Sequence, residues 1–80
     1  MEKSRFEALL MMISSATVDE IATHCNCSEV DAAAMFYSSD VYSFLERQAT
    51  GFWHYSPMML YSLFDEERKT GSFSFPEEAF

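Results

Sequence analysis

The sequence predicts an all-α fold, a compact bundle of four to five short helices with a helix-turn-helix-like corner and an extended C-terminal tail. Three observations lead there. Apolar residues recur at i, i+3, i+4 and i+7 rather than at alternate positions. Ser, Thr and Asp stand where helix N-termini need side-chain acceptors. The only two Gly and two Pro (Gly51, Gly71, Pro57 and Pro76) all lie in the second half, where they mark breaks. No stretch reads as a core strand.

The first helix is expected from about Ser4 to Ser14, with Phe6, Leu9, Leu10 and Ile13 on one apolar face that Met11 and Met12 widen. "TVDE" offers Thr17 as an N-cap with Glu20 three positions on, a capping box that predicts a short second helix, Val18 to Cys25. Ser28 and Asp31 repeat the device and start a third helix to about Tyr37, its packed side drawn as Val30, Ala33, Ala34 and Tyr37. Ser39 or Asp40 caps a fourth, carrying Val41, Phe44 and Leu45. "QATGFWHYSP" has no sustained helical period and reads as a loop. Ser56 before Pro57 restarts the chain as a helix, because Pro at the first helical position loses no hydrogen bond. That last helix runs to about Lys69 with Met59, Leu60, Leu63 and Phe64 buried, cations Arg68 and Lys69 in its final turn and Gly71 at its C-terminal cap. Residues 1–71 form one helical domain, and 72–80 an extended acidic and aromatic tail.

Composition narrows the function. Aliphatic and aromatic residues make up 49% of the 80, which is the makeup of a folded chain. The apolar run from Phe6 to Ala16 is too short to span a membrane and contains Glu7, so it reads as a soluble helix of a cytoplasmic protein. The net charge is −8, and no Lys or Arg occurs between Phe6 and Glu46. Affinity for nucleic acid depends on cations that displace phosphate counterions. Thus specific nucleic-acid binding is not expected, and an acidic surface either keeps the protein soluble or steers it to basic partners.

The segment "IATHCNCSEVDAAAMFYSS" has the cadence of a helix-turn-helix, with a small Ala22, a tight "CNCS" turn and a second capped helix. Its recognition helix, however, presents Glu29, Asp31 and small apolar groups instead of Arg, Lys, Asn or Gln. The corner is expected to be structural. His24, Cys25 and Cys27 fall short of the four ligands of structural zinc, with His54 the only distant candidate. Neither a metal nor another cofactor is expected, and the two Cys read as free thiols filling a corner. Adjacent His24 and Cys25 diverge on a helix and make no nucleophile–base pair. With no phosphate loop or paired carboxylates either, no catalytic residue is assigned, and the chain does not read as an enzyme.

The densest stretch is "GFWHYSPMMLYSLFDEE". Phe52, Trp53, His54 and Tyr55 stand together in a loop, and although the core can claim some of these rings, Trp and Tyr are enriched at interface hot spots. Phe52, Trp53, His54, Tyr55 and Tyr61, with Phe73 and Phe75 of the tail, are therefore the candidate partner-binding residues.

"AMFYSSDVYSFLE" followed by "TGFWHYSPMMLYSLFDEERKTGSFSFPEEAF" resembles a group of short, uncharacterised bacterial helical proteins of the domain-of-unknown-function type, often encoded beside toxin–antitoxin-like genes. The resemblance covers about residues 17 to 79. It rests on Tyr37, Ser39, Tyr42, Leu45, Trp53, Ser56, Leu60, Tyr61, Glu67, Thr70 and Gly71. It implies an antitoxin-like or accessory role and carries over no catalytic residue. The expected function is thus a small acidic interaction module that binds another protein, basic or toxin-like, through the aromatic loop and C-terminal region. Two alternatives are an acidic inhibitor that mimics nucleic-acid charge and a helix-turn-helix transcriptional regulator. A homodimer is the alternative assembly.

Overall fold

The computed structural model describes residues 2–73, which form an all-α bundle. Its first element is one unbroken helix, α1 (Lys3–Cys25), where the sequence predicts two. No Pro or Gly interrupts the chain there. Thr17, the expected N-cap, is fully buried inside the helix and donates its hydroxyl to the Ile13 carbonyl at 2.8 Å. That bond to the preceding turn is open to any helical Thr, and it removes the reason to cap. At about 1.5 Å per residue α1 is about 34 Å long, close to the 35 Å longest dimension of the molecule. Phe6, Val18 and Ile21 are buried on its inner side, and Leu10 and Ile13 are half-buried against the core. Met11 and Met12, expected to widen the apolar face, lie instead at 73% and 70% exposure.

Ser14 is also buried on α1, and its hydroxyl has no hydrogen-bond partner among the described residues. Burying an unpartnered hydroxyl costs about 1–3 kcal/mol. Ser14→Ala should therefore hold or raise the stability measured by urea melting, and a loss of more than about 1 kcal/mol would mean that the hydroxyl has a partner after all.

Asn26 ends α1 in the left-handed region, φ 55°, a conformation that Asn tolerates better than most residues. The turn leads to Ser28, whose Oγ accepts the Asp31 N–H at 3.1 Å and caps α2 (Glu29–Tyr37) as expected. The packed side of α2 differs from the expected one. Ala32 and Phe36 are fully buried, while Val30 is 78% exposed, Tyr37 49% exposed, Ala34 exposed and Ala33 half-buried.

Ser39 joins α2 to α3 (Asp40–Leu45): its hydroxyl donates to the Phe36 carbonyl at 2.6 Å and accepts the Tyr42 N–H at 3.2 Å. The remaining amides of that short helix are met from far along the chain. Glu67 of the last helix, α4 (Pro57–Thr70), accepts the Asp40 N–H at 2.9 Å on one carboxylate oxygen and the Val41 N–H at 3.1 Å on the other. A helix of six residues is marginal alone, so this clamp holds α3 in place. Glu67→Ala should cost about 2 kcal/mol in a urea melt, since both amides lose a charged acceptor, and Glu67→Gln about half of that because one carbonyl oxygen remains. A melt unaltered by Glu67→Ala would show that water replaces the clamp without loss.

The expected loop folds into two 3₁₀ turns, Gln48–Thr50 and Phe52–His54, hinged at Gly51. Gly51 has φ 75°, which a residue with a Cβ adopts at a cost. The Thr50 hydroxyl reinforces the reversal, lying 2.8 Å from the Arg47 carbonyl and accepting the Phe52 N–H at 3.3 Å. As a result Phe52 turns inward to 1% exposure. Ser56 caps α4 (Pro57–Thr70) by accepting the Met59 N–H, Pro57 opens it, and Gly71 closes it at φ 90°. Leu60, Leu63 and Phe64 are buried as expected, whereas Met59 is 37% exposed. The core joins these three side chains to Val18, Ile21, Ala32, Phe36, Val41, Leu45 and Phe52. Among the described residues no helix is long and apolar enough to cross a membrane.

Candidate functional site

The structure divides the aromatic candidates rather than gathering them on one surface. Phe52 is a core residue, its ring 5.5 Å from Phe44 and 5.3 Å from Tyr55. Phe73 is half-buried, with its ring edge-on to Phe44 and 6.1 Å from Phe52, so the beginning of the expected tail packs on the domain. Trp53 is also half-buried. Its indole N–H donates to the Gln48 carbonyl at 2.9 Å, and its ring meets Phe6 edge-on at 6.1 Å, pinning the start of α1 to the loop. Tyr55 is half-buried, and of Phe52, Trp53, His54 and Tyr55 only His54 is exposed. Tyr61 is half-buried and stacks on His24 at 4.5 Å; burial, then Asp65 beside it, pushes its phenol up from the ordinary range. Phe75 lies outside the described residues.

The "HCNC" segment is occupied in the same way. His24 lies 3.3 Å from the Glu20 carboxylate one turn earlier and stacks on Tyr61, while Cys25 and Cys27 are half-buried free thiols packed against the core. Among the described residues no three His, Cys, Asp or Glu side chains are grouped to hold a metal ion. A cleft of about 220 Å³ between α2, the corner that leads to α3, and α4 has Met35 and Phe64 as its apolar lining and Ser38, Ser39, Glu67 and Arg68 as its polar groups. Glu67 and Ser39 there already hold α3, and Arg68 bonds Asp65 at 3.1 Å, so those three polar groups are engaged within the fold.

The surface that sequence reasoning misses is the outer side of α2. Apart from Glu29 and Asp31, every residue of this helix is apolar or Tyr. An amphipathic helix has one apolar stripe, and one that is apolar all round is normally buried all round. Here Ala32 and Phe36 face the core while Val30, Ala34 and Tyr37, at i, i+4 and i+7, form a second stripe on the opposite side. The Tyr42 ring of α3 extends it, meeting the Tyr37 ring edge-on at 4.8 Å. The signal was present in the sequence as "AAAMFY", which satisfies two helix faces at once.

Carboxylates stand at both ends of this stripe. At the N-terminal end the Glu29 carboxyl neighbours Asp19 of α1, and the hydrogen bond that its protonated form can share with Asp19, then the repulsion between the two charges, holds it above the usual range. Asp31 is exposed on the other flank. At the C-terminal end Glu46 acts on Tyr42, whose phenol is pushed up by burial first and by that charge second. The outward face offers no Arg, Lys, Asn or Gln to base edges. Several residues that carry the sequence resemblance also have structural roles: Ser39, Ser56 and Gly71 cap helices, Glu67 clamps α3, and Trp53 pins the loop. No protein family matches this chain, and no curated protein or solved structure does.

Proposed function

We propose that the protein is a protein–protein interaction module with an antitoxin-like or accessory role, which acts by covering part of a partner protein with the outer face of α2. The observation behind this reading is that α2 is apolar on two opposite sides and buries only one of them. Contiguous exposed apolar surface favours association, because its removal from water contributes about 25 cal/mol per Å². This reading keeps the interaction function expected from the sequence and moves its centre from the aromatic loop to Val30, Ala34 and Tyr37. The exposed carboxylates of Asp19, Glu29 and Asp31 favour a second reading, mimicry of nucleic-acid charge, whose binding would fall steeply with salt.

The test is quantitative affinity capture with the wild type and the double variant Val30→Gln/Ala34→Gln. Gln keeps the helix and the net charge while making the face polar. Binding of the specific partner should weaken at least about tenfold, whereas Met11→Gln/Met12→Gln, equally exposed on α1, should leave it unaltered. Equal capture by the α2 variant and the wild type would contradict the assignment.

A further inference from the structure

We infer that the partner surface docking on α2 is apolar at its centre and carries Lys or Arg at both ends, so that its cations meet Glu29 and Asp31 at one end and Glu46 at the other. This rests on the reading of α2 as the interface and specifies what covers it. The stripe is short. From Val30 to Tyr37 it spans about 10 Å, at about 1.5 Å per residue. A single helix face of that length gives little area compared with the roughly 800 Å² that each partner of a stable complex buries. Charge must then contribute to recognition and orientation, and the groups that flank the stripe on α2 are carboxylates, with Arg47 entering only after Glu46. The chain has no Lys or Arg from Phe6 to Glu46, and carboxylates lie at both ends of the stripe.

A second copy of this chain is a poor occupant by the same measure. Each copy carries a net charge of −8, and pairing the two faces would bring carboxylates against carboxylates whichever way the helices ran. A partner with an apolar row flanked by cations relieves that repulsion instead, including the contact between Asp19 and Glu29. An amphipathic basic helix has the required pattern, since its apolar residues recur one turn apart and its Lys or Arg flank them.

The experiment uses the full chain, labelled with ¹⁵N, and three synthetic peptides of equal length: an amphipathic Leu/Lys helix, its Leu/Glu counterpart, and a Lys/Ser peptide with no apolar row. The Leu/Lys peptide should shift amide resonances between Val30 and Tyr42. The Lys/Ser peptide should bind at least about tenfold more weakly, and the Leu/Glu peptide weaker again. Glu29→Gln/Asp31→Asn/Glu46→Gln, confirmed folded by circular dichroism, should weaken Leu/Lys binding about tenfold. Equal shifts on α2 from Leu/Lys and Leu/Glu peptides would overturn the basic partner and leave the docking face standing. So would self-association of the free protein that Val30→Gln/Ala34→Gln abolishes. Shifts confined to Trp53 and His54, or to Met11 and Met12, would overturn both the partner and the face.

Discussion

Phe36→Ala should lose about 3–5 kcal/mol of folding stability, close to the whole stability of a domain this small, about 5 kcal/mol. Phe36 is fully buried where α2, α3 and α4 meet, with ring contacts to Tyr42 at 5.5 Å and Phe64 at 6.2 Å. Its carbonyl also accepts the Ser39 hydroxyl. Truncation leaves a cavity that these three helices cannot close without shifting towards one another and giving up their other contacts. Circular dichroism at 222 nm with a urea titration is the measurement, and the variant should show little cooperative transition at 25 °C. A variant that melts within about 1 kcal/mol of the wild type would mean that the core collapses around the gap.

The second large effect concerns Trp53. Trp53→Ala should cost about 2–4 kcal/mol, somewhat below the value for a fully buried ring because the indole is only half-buried. The loss combines the edge contact with Phe6 and the hydrogen bond to the Gln48 carbonyl. Trp53→Phe retains the packing and should cost only about 1 kcal/mol, the net worth of a hydrogen bond. Partner binding, expressed per folded molecule, should stay constant in both variants. The opposite pattern, intact melting with binding lost, would restore the aromatic loop as the interface.

Local signals made most of the helix boundaries legible. Ser28, Ser39 and Ser56 each accept an amide three positions on, and Gly71 adopts the left-handed conformation that ends α4. Each of those features depends on a few neighbouring residues. Expectation and structure part where a residue has two locally acceptable uses. Thr17 can cap a new helix or bond back to Ile13 within a continuing one, and only tertiary burial of its methyl decides between them. Because α2 is apolar on both sides, its helical period shows where the stripes are and not which one faces the core. Val30, Ala34 and Tyr37 share one stripe, as the period predicts, but it faces outward, and of the expected packed side only Ala33 lies against the core.

The loop and the clamp were hidden for a different reason. Phe52 and Trp53 have no helical or strand period, so their burial depends on Gly51 reversing the chain and on Phe6 waiting at the start of α1. Glu67 is 27 positions from the amide of Asp40 and 26 from that of Val41, beyond any capping pattern read along the chain. In the sequence Glu67 is one more acidic residue in "FDEERK". In the fold it is the N-terminal acceptor of another helix.

The most direct measurement of the proposed interface is photo-crosslinking in the cell, with p-benzoylphenylalanine placed at Tyr37 in one variant and at His54 in another. Both positions are exposed, and they lie on different elements. The predicted result is a discrete protein adduct from position 37, absent from position 54 and lost when Val30→Gln/Ala34→Gln is added. An adduct formed from position 54 and not from position 37 would contradict the assignment of α2 as the docking face.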